Sequence, residues 1–206
     1  MPAAPIVTAA VLLATAGALS PAVASSPAAQ DRPAAEYRVG DTGPGGGVVF
    51  YDAGTRAGWG RYLEVAPAGW SGATRDPLAP WCPQERPGHD APVPTGTAIG
   101  TGRANTEAII AACGGRTAAG VAARYQGGGR TDWFLPSTDE LAALYDRARR
   151  GSADRGRIGL RFALVWSSTQ HPRIVDGAWA QTFTTGEAVG DLKSSAMKKV
   201  RPIRAF

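Results

Sequence analysis

Two cysteines, two histidines, two methionines and one asparagine, Asn105, are all that this 206-residue chain carries of those four residue types. Each scarcity excludes something. The histidines, His89 and His171, are too few for much acid–base chemistry, and both lie in polar or irregular stretches that read as surface. Cys82 and Cys113 have no Cys-x-x-Cys or His-x-x-x-His partner beside them, so zinc-ligand spacing is missing and no metal is assigned. The chain has no Gly-x-Ser-x-Gly elbow, which removes serine-hydrolase chemistry of that type. The glycine loop from Gly40 to Gly47 precedes a strand and lacks the lysine of a phosphate cradle, so it reads as a tight backbone turn. There is no internal repeat, and no collagen-like or coiled-coil segment to impose a trimer.

No apolar run reaches the roughly 20 residues that span a bilayer. The run from Ile6 to Leu19 ends at Pro21, and Ala22-Val23-Ala24 places small residues where a signal peptidase reads them. Residues 1–24 therefore read as a secretory signal cut before Ser25, although the segment before the run has no Lys or Arg. No transmembrane anchor is expected after cleavage. Residues 25–36, rich in Ala, Pro and Ser, read as a flexible linker. A single domain follows over 37–206. In an oxidising compartment two cysteines are expected to pair, Cys82 with Cys113, against the rivals of two free thiols or a metal site.

What the domain does contain is a globular composition, 44% hydrophobic and 19% charged, with room for one core. Glycine and proline, 27 and 16 residues, predict many turns and few long helices. Strands are expected at Val48–Tyr51, Arg61–Ala66, Trp133–Leu135, Ala163–Ser168, Ala178–Phe183 and near Lys199–Phe206. Pro202 implies an edge or a bulge in the last of these. Short helices are expected at Ala104–Cys113 and Thr117–Tyr125. The best-specified helix follows Pro136. Ser137 is a good N-cap, Glu140 stands at the capping-box offset, and Leu141, Leu144, Tyr145 and Ala148 share one face. Capping also accounts for the acidic pair Asp139 and Glu140 without catalysis. Gly151 is its expected stop, and an arginine-rich loop from Arg149 to Arg161 comes next. The order predicts an α+β fold, mainly antiparallel sheet with two or three short helices and long irregular loops.

The net charge of +5 is unevenly placed: residues 147–206 hold 12 Lys/Arg against 4 Asp/Glu. Arg147, Arg149, Arg150, Arg155, Arg157, Lys193, Lys198, Lys199, Arg201 and Arg204 are the candidate anion contacts, since both cations neutralise sulfate and carboxylate well. Of the six tryptophans, Trp133, Trp166 and Trp179 fall in expected strands and belong to the core. Trp70 and Trp81, in the long irregular stretch from Ala68 to Pro94, are candidates for an exposed sugar-stacking platform. A loop of that length is functional or needs tying down.

Several segments together resemble one family. They are Tyr37-Arg38-Val39-Gly40-Asp41-Thr42-Gly43-Pro44-Gly45-Gly46-Gly47-Val48-Val49-Phe50-Tyr51, Thr131-Asp132-Trp133-Phe134-Leu135-Pro136-Ser137, Trp166-Ser167-Ser168-Thr169, and Val200-Arg201-Pro202-Ile203-Arg204-Ala205-Phe206. In that order they resemble the Lcl C-terminal domain family, named for the terminal module of a bacterial collagen-like adhesin. The resemblance implies a C-type-lectin-like fold whose two ends meet in one sheet; in the adhesin that names the family, the domain binds sulfated glycosaminoglycans. Arg201 and Arg204, within the closing motif, have a structural role as their alternative. The fold also resembles the formylglycine-generating enzyme superfamily, where a Leu-Pro dipeptide leads from strand to helix. That enzyme's copper-binding cysteines follow the strand–helix unit, whereas both cysteines here precede it, so the activity does not carry over. The calcium site of true C-type lectins needs Glu-Pro-Asn or Gln-Pro-Asp and a Trp-Asn-Asp triplet, all missing here.

The expected function is thus a secreted, non-enzymatic binding module for acidic polysaccharide or glycosaminoglycan, with no cofactor and no nucleic-acid partner. An extracellular enzyme with an unrecognised site and a structural protein-interaction domain are the alternatives.

Overall fold

The computed structural model describes residues 1–3, 36–151 and 153–206. The signal-peptide and linker expectations fall almost wholly outside them. Residues 36–206 form one compact unit. No helix among the described residues is long and apolar enough to cross a membrane.

The unit is α+β, with two three-stranded antiparallel sheets. In the first, β1 (Val48–Ala57) pairs with β2 (Gly60–Val65), and β2 pairs with β6 (Ile203–Ala205). In the second, β3 (Leu164–Gln170) pairs with β4 (Gly177–Thr182), and β4 with β5 (Ala188–Leu192). The beginning and end of the unit therefore meet in one sheet. Among the described residues, four α-helices lie between β2 and β3: α1 (Gly102–Cys113), α2 (Ala118–Ala123), α3 (Thr138–Arg150) and α4 (Asp154–Ile158).

Helix α3 forms for local reasons. The Ser137 hydroxyl accepts the Glu140 N–H at 3.3 Å, and the Glu140 carboxylate accepts the Ser137 N–H at 2.7 Å, a closed capping box. The second Glu140 oxygen accepts the Gly100 N–H at 2.8 Å, which ties the cap to the loop before α1. Burial raises the Glu140 pKa, and the backbone donors around it oppose that rise. Leu141 and Leu144 are fully buried against Val48, Phe50, Leu63, Val65 and Ile203, with Tyr145 and Ala148 packed at the margin. A second core gathers Trp81, Ile109, Trp166, Ala178, Ala180 and Val200 around the Cys82–Cys113 disulfide, whose Cα atoms stand 5.3 Å apart.

The structure differs from expectation at three elements. Trp133–Leu135 makes only a single bridge, Phe134 with Ile203, because Pro136 has no N–H and the Leu135 N–H goes to the Thr106 hydroxyl at 3.0 Å. The Arg149–Arg161 stretch is not all loop: it holds α4, which ends at Gly159 in the left-handed region at φ 66°. Strand β5 was not anticipated, since Ala188-Val189-Gly190-Asp191-Leu192 has poor strand propensity and is held by pairing with β4 along its length. The segment before β6 joins both sheets, with Lys199 bridged to Leu78 and to Val165. Pro202 precedes β6 at the sheet edge, and its carbonyl accepts the Ala66 N–H at 3.0 Å.

Candidate functional site

The closing segment carries many of the candidate cations, and its central position in the fold decides their fate. Arg201 is 1% exposed and grips the Asp76 carboxylate with contacts of 2.6, 2.8 and 3.1 Å. Its remaining donors go to the carbonyls of Ala66, at 3.2 Å, and Ile158. Arg204 is buried between Glu64, at 2.9 Å, and Asp132, at 2.5 Å. Glu64 is itself fully buried and also accepts the Gly45 and Gly47 N–H groups at 2.9 and 3.0 Å. This explains the glycine loop: a Cβ on Gly45 would lie 2.6 Å from the Trp133 ring and 2.8 Å from Glu64.

The lysines behave alike. Lys193 Nζ donates to the carbonyls of Gly88, His89 and Ala91 at 2.7, 3.3 and 3.0 Å, over the face of Trp81. Burial lowers its pKa to about 8, against the attraction of Asp176 and Asp90. Lys198 is buried over Trp166, donates to Ser195 at 2.7 Å and pairs with Asp191; burial lowers its pKa too. Lys199 is half-buried. Lys193, Arg201 and Arg204 are therefore internal clasps, not surface contacts, because each meets acceptors brought from distant parts of the chain, and Lys198 is buried beside its near neighbours Ser195 and Asp191.

Trp81 is likewise no platform. It is fully buried, with its indole N–H on the Ser167 carbonyl at 3.0 Å. Trp70 is half-buried, donates to Asp76 at 3.1 Å and stands edge-on to Tyr125. The surface expectation for the histidines is also corrected. His171 is buried against Trp179, and its Nδ1 accepts the N–H groups of Arg173 and Ile174 at 3.2 and 3.1 Å. His89 is buried with Nδ1 2.6 Å from Asp90 Oδ1 and with Nε2 lacking a partner among the described residues. Also among the described residues, no group of three or more His, Cys, Asp and Glu could hold a metal ion.

The arginines that follow α3 are arranged differently. Asp154, 3% exposed, is held by Arg147 and, at 3.1 Å, by Arg157. Arg157 also donates to the Gly40 carbonyl and the Thr42 hydroxyl at 2.7 and 2.8 Å. Those two arginines brace the α3–α4 corner against the glycine loop. Arg150 pairs with Asp146 one helical turn back, at 3.4 Å. Arg149 and Arg155 pair with no carboxylate among the described residues, and neither does Arg161.

These three line one cleft of about 430 Å³. Its floor is apolar: Tyr145 and Ala148 of α3, Leu160 and Phe183, with Tyr145 edge-on to Phe183 at 5.7 Å. Thr184 and Thr185 form the far side, in the turn after β4. That turn needs Gly186, at φ 89°, because any Cβ there would fall 2.3 Å from the Tyr145 ring. On the near rim Phe162 is 68% exposed, with the Arg161 guanidinium 4.7 Å from its ring centroid.

Of the twelve candidate binding residues, the cleft brings together Arg149 and Arg155. Arg161 and Phe162 were missed. They close the arginine-rich stretch as a basic–aromatic pair, a signal that was legible beside the arginines but says nothing of which way the ring points. No protein-family model matches the chain, and no curated protein matches it in sequence.

Proposed function

We propose that the domain is a secreted, non-enzymatic module that binds polyanionic glycans, and that the cleft of Arg149, Arg155 and Arg161 is where it does so. A C-type-lectin-like fold of the Lcl C-terminal kind is part of the same reading. One observation carries it: three exposed arginines line one cleft and pair with no carboxylate among the described residues. Like charges so placed repel each other and are stabilised by an anion. Arginine offers paired donors that match sulfate and carboxylate oxygens, and its charge persists at every physiological pH. At about 4 Å each such contact contributes on the order of 1 kcal/mol in water and a few times more near the protein surface. A repeating polymer multiplies these contacts.

The test is salt elution from immobilised heparin. The protein should be released well above the salt that frees a neutral control. The triple variant R149A/R155A/R161A should elute with that control. Elution of the wild type at control salt rejects the function, and an undiminished triple variant rejects the site.

A further inference from the structure

Phe162 has an unusual backbone. It is the one non-glycine residue at positive φ among the described residues, at φ 64°. The left-handed region is a genuine outlier for a bulky side chain, and such strain persists where surrounding structure imposes it, often at binding sites. Here a tight turn holds it: the Ala163 N–H donates to the Leu160 carbonyl at 3.0 Å, both of those residues are buried in the first core, and Arg161 and Phe162 between them are exposed. Phe162 takes no part in either core and leaves 68% of its surface in solvent. Nothing in the packing asks for an aromatic residue at this position. Its ring stands beside Arg161 at the rim of the arginine cleft.

We propose that Phe162 stacks against a sugar ring, so that the cleft selects acidic polysaccharide over polyanions that offer charge alone. The proposal rests on the anion-binding reading of the same cleft. Pyranose rings present an open C–H face beside their sulfate or carboxylate groups, and that alternation matches one exposed ring among three arginines. Thr184 and Thr185 add hydroxyls opposite. Single-stranded nucleic acid would also meet arginine and an aromatic ring, but it is read by aromatics on which successive bases stack. Here the other two aromatics of the cleft, Tyr145 and Phe183, are packed edge-on against each other.

The full chain, F162A, F162G and R149A/R155A/R161A are titrated with heparin, inorganic polyphosphate and oligo(dT). Both Phe162 variants should weaken heparin binding about five- to tenfold, the scale of one aromatic contact, and leave polyphosphate within twofold. F162G relieves the backbone strain, so its Tm should equal or exceed that of the wild type, which separates lost binding from lost folding. Wild-type heparin affinity in F162A and F162G, with the triple variant inactive, overturns the stacking and leaves the anion site standing. An equal loss on polyphosphate overturns it as well. A loss on oligo(dT) matching that on heparin makes the platform one for bases and overturns sugar selectivity. Heparin binding that survives in the triple variant removes both the site and the inference.

Discussion

Arg201→Met separates the two roles open to a basic residue in the closing segment. If Arg201 contacted ligand from the surface, the change would weaken heparin binding and leave stability within about 0.5 kcal/mol. The structure requires the reverse. Arg201 is 1% exposed, and its loss would leave the Asp76 carboxylate, itself 8% exposed, with the Trp70 indole as its hydrogen-bond donor. The carbonyls of Ala66 and Ile158 lose a donor at the same time. Breaking a buried pair on one side costs about 3–5 kcal/mol, chiefly from the orphaned charge. Taken from a total stability of about 5–15 kcal/mol, this should lower the Tm by about 6–20 °C. Urea melts give the free energy, and heparin elution at a temperature where the variant stays folded should be unchanged. The double variant D76N/R201M should recover part of the loss, because it removes the stranded charge. A loss under about 1 kcal/mol, or no recovery in the double variant, refutes the reasoning.

Further outcomes follow from other contacts. Lys193 has its pKa lowered to about 8 in the folded protein, below an unfolded value of 10.5. The unfolded chain therefore holds more protons between those values, and Lys193 should make stability rise with pH across about 8 to 10.5. Urea melts of the wild type and Lys193→Met over that range should diverge, and parallel curves would contradict the burial argument. Replacing Cys82 and Cys113 together by alanine opens a link across a sequence separation of 31, at a cost of about 3–4 kcal/mol in the chain-entropy model. Thermal melts read it, and reductant should lower the wild-type Tm comparably. Ser137→Ala removes the α3 cap and also the bond from its hydroxyl to the Ala98 carbonyl at 3.0 Å. It should cost about 1–2 kcal/mol, near the top of the range for caps; a neutral result in urea melts would mean that neither bond contributes.

Helix α3 was legible because its determinants lie within a dozen residues. The cap at Ser137, the reciprocal Glu140 and the buried Leu141 and Leu144 follow from local geometry. The Cys82–Cys113 disulfide was legible from the cysteine count together with the expectation of an oxidising compartment. Strand β5 was not, since its own residues favour no strand and its order comes from β4. The candidate site was half legible. Arg149 and Arg155 stood out by composition, but the closing cations stood out equally and proved to be internal.

The sequence by itself determined that the domain mixes helices with antiparallel strands and that its last third is basic. Only the tertiary structure decided which positive charges remain available. Arg201 finds its acid 125 residues away, Arg204 its two acids 72 and 140 residues away, and Lys193 its carbonyls more than a hundred residues away. A carboxylate that distant is invisible to any local pattern, yet at contact range and out of water it determines whether an arginine holds the fold or faces a ligand. The same holds for Phe162, whose left-handed backbone sits in a turn closed from Ala163 to Leu160, both anchored in the first core.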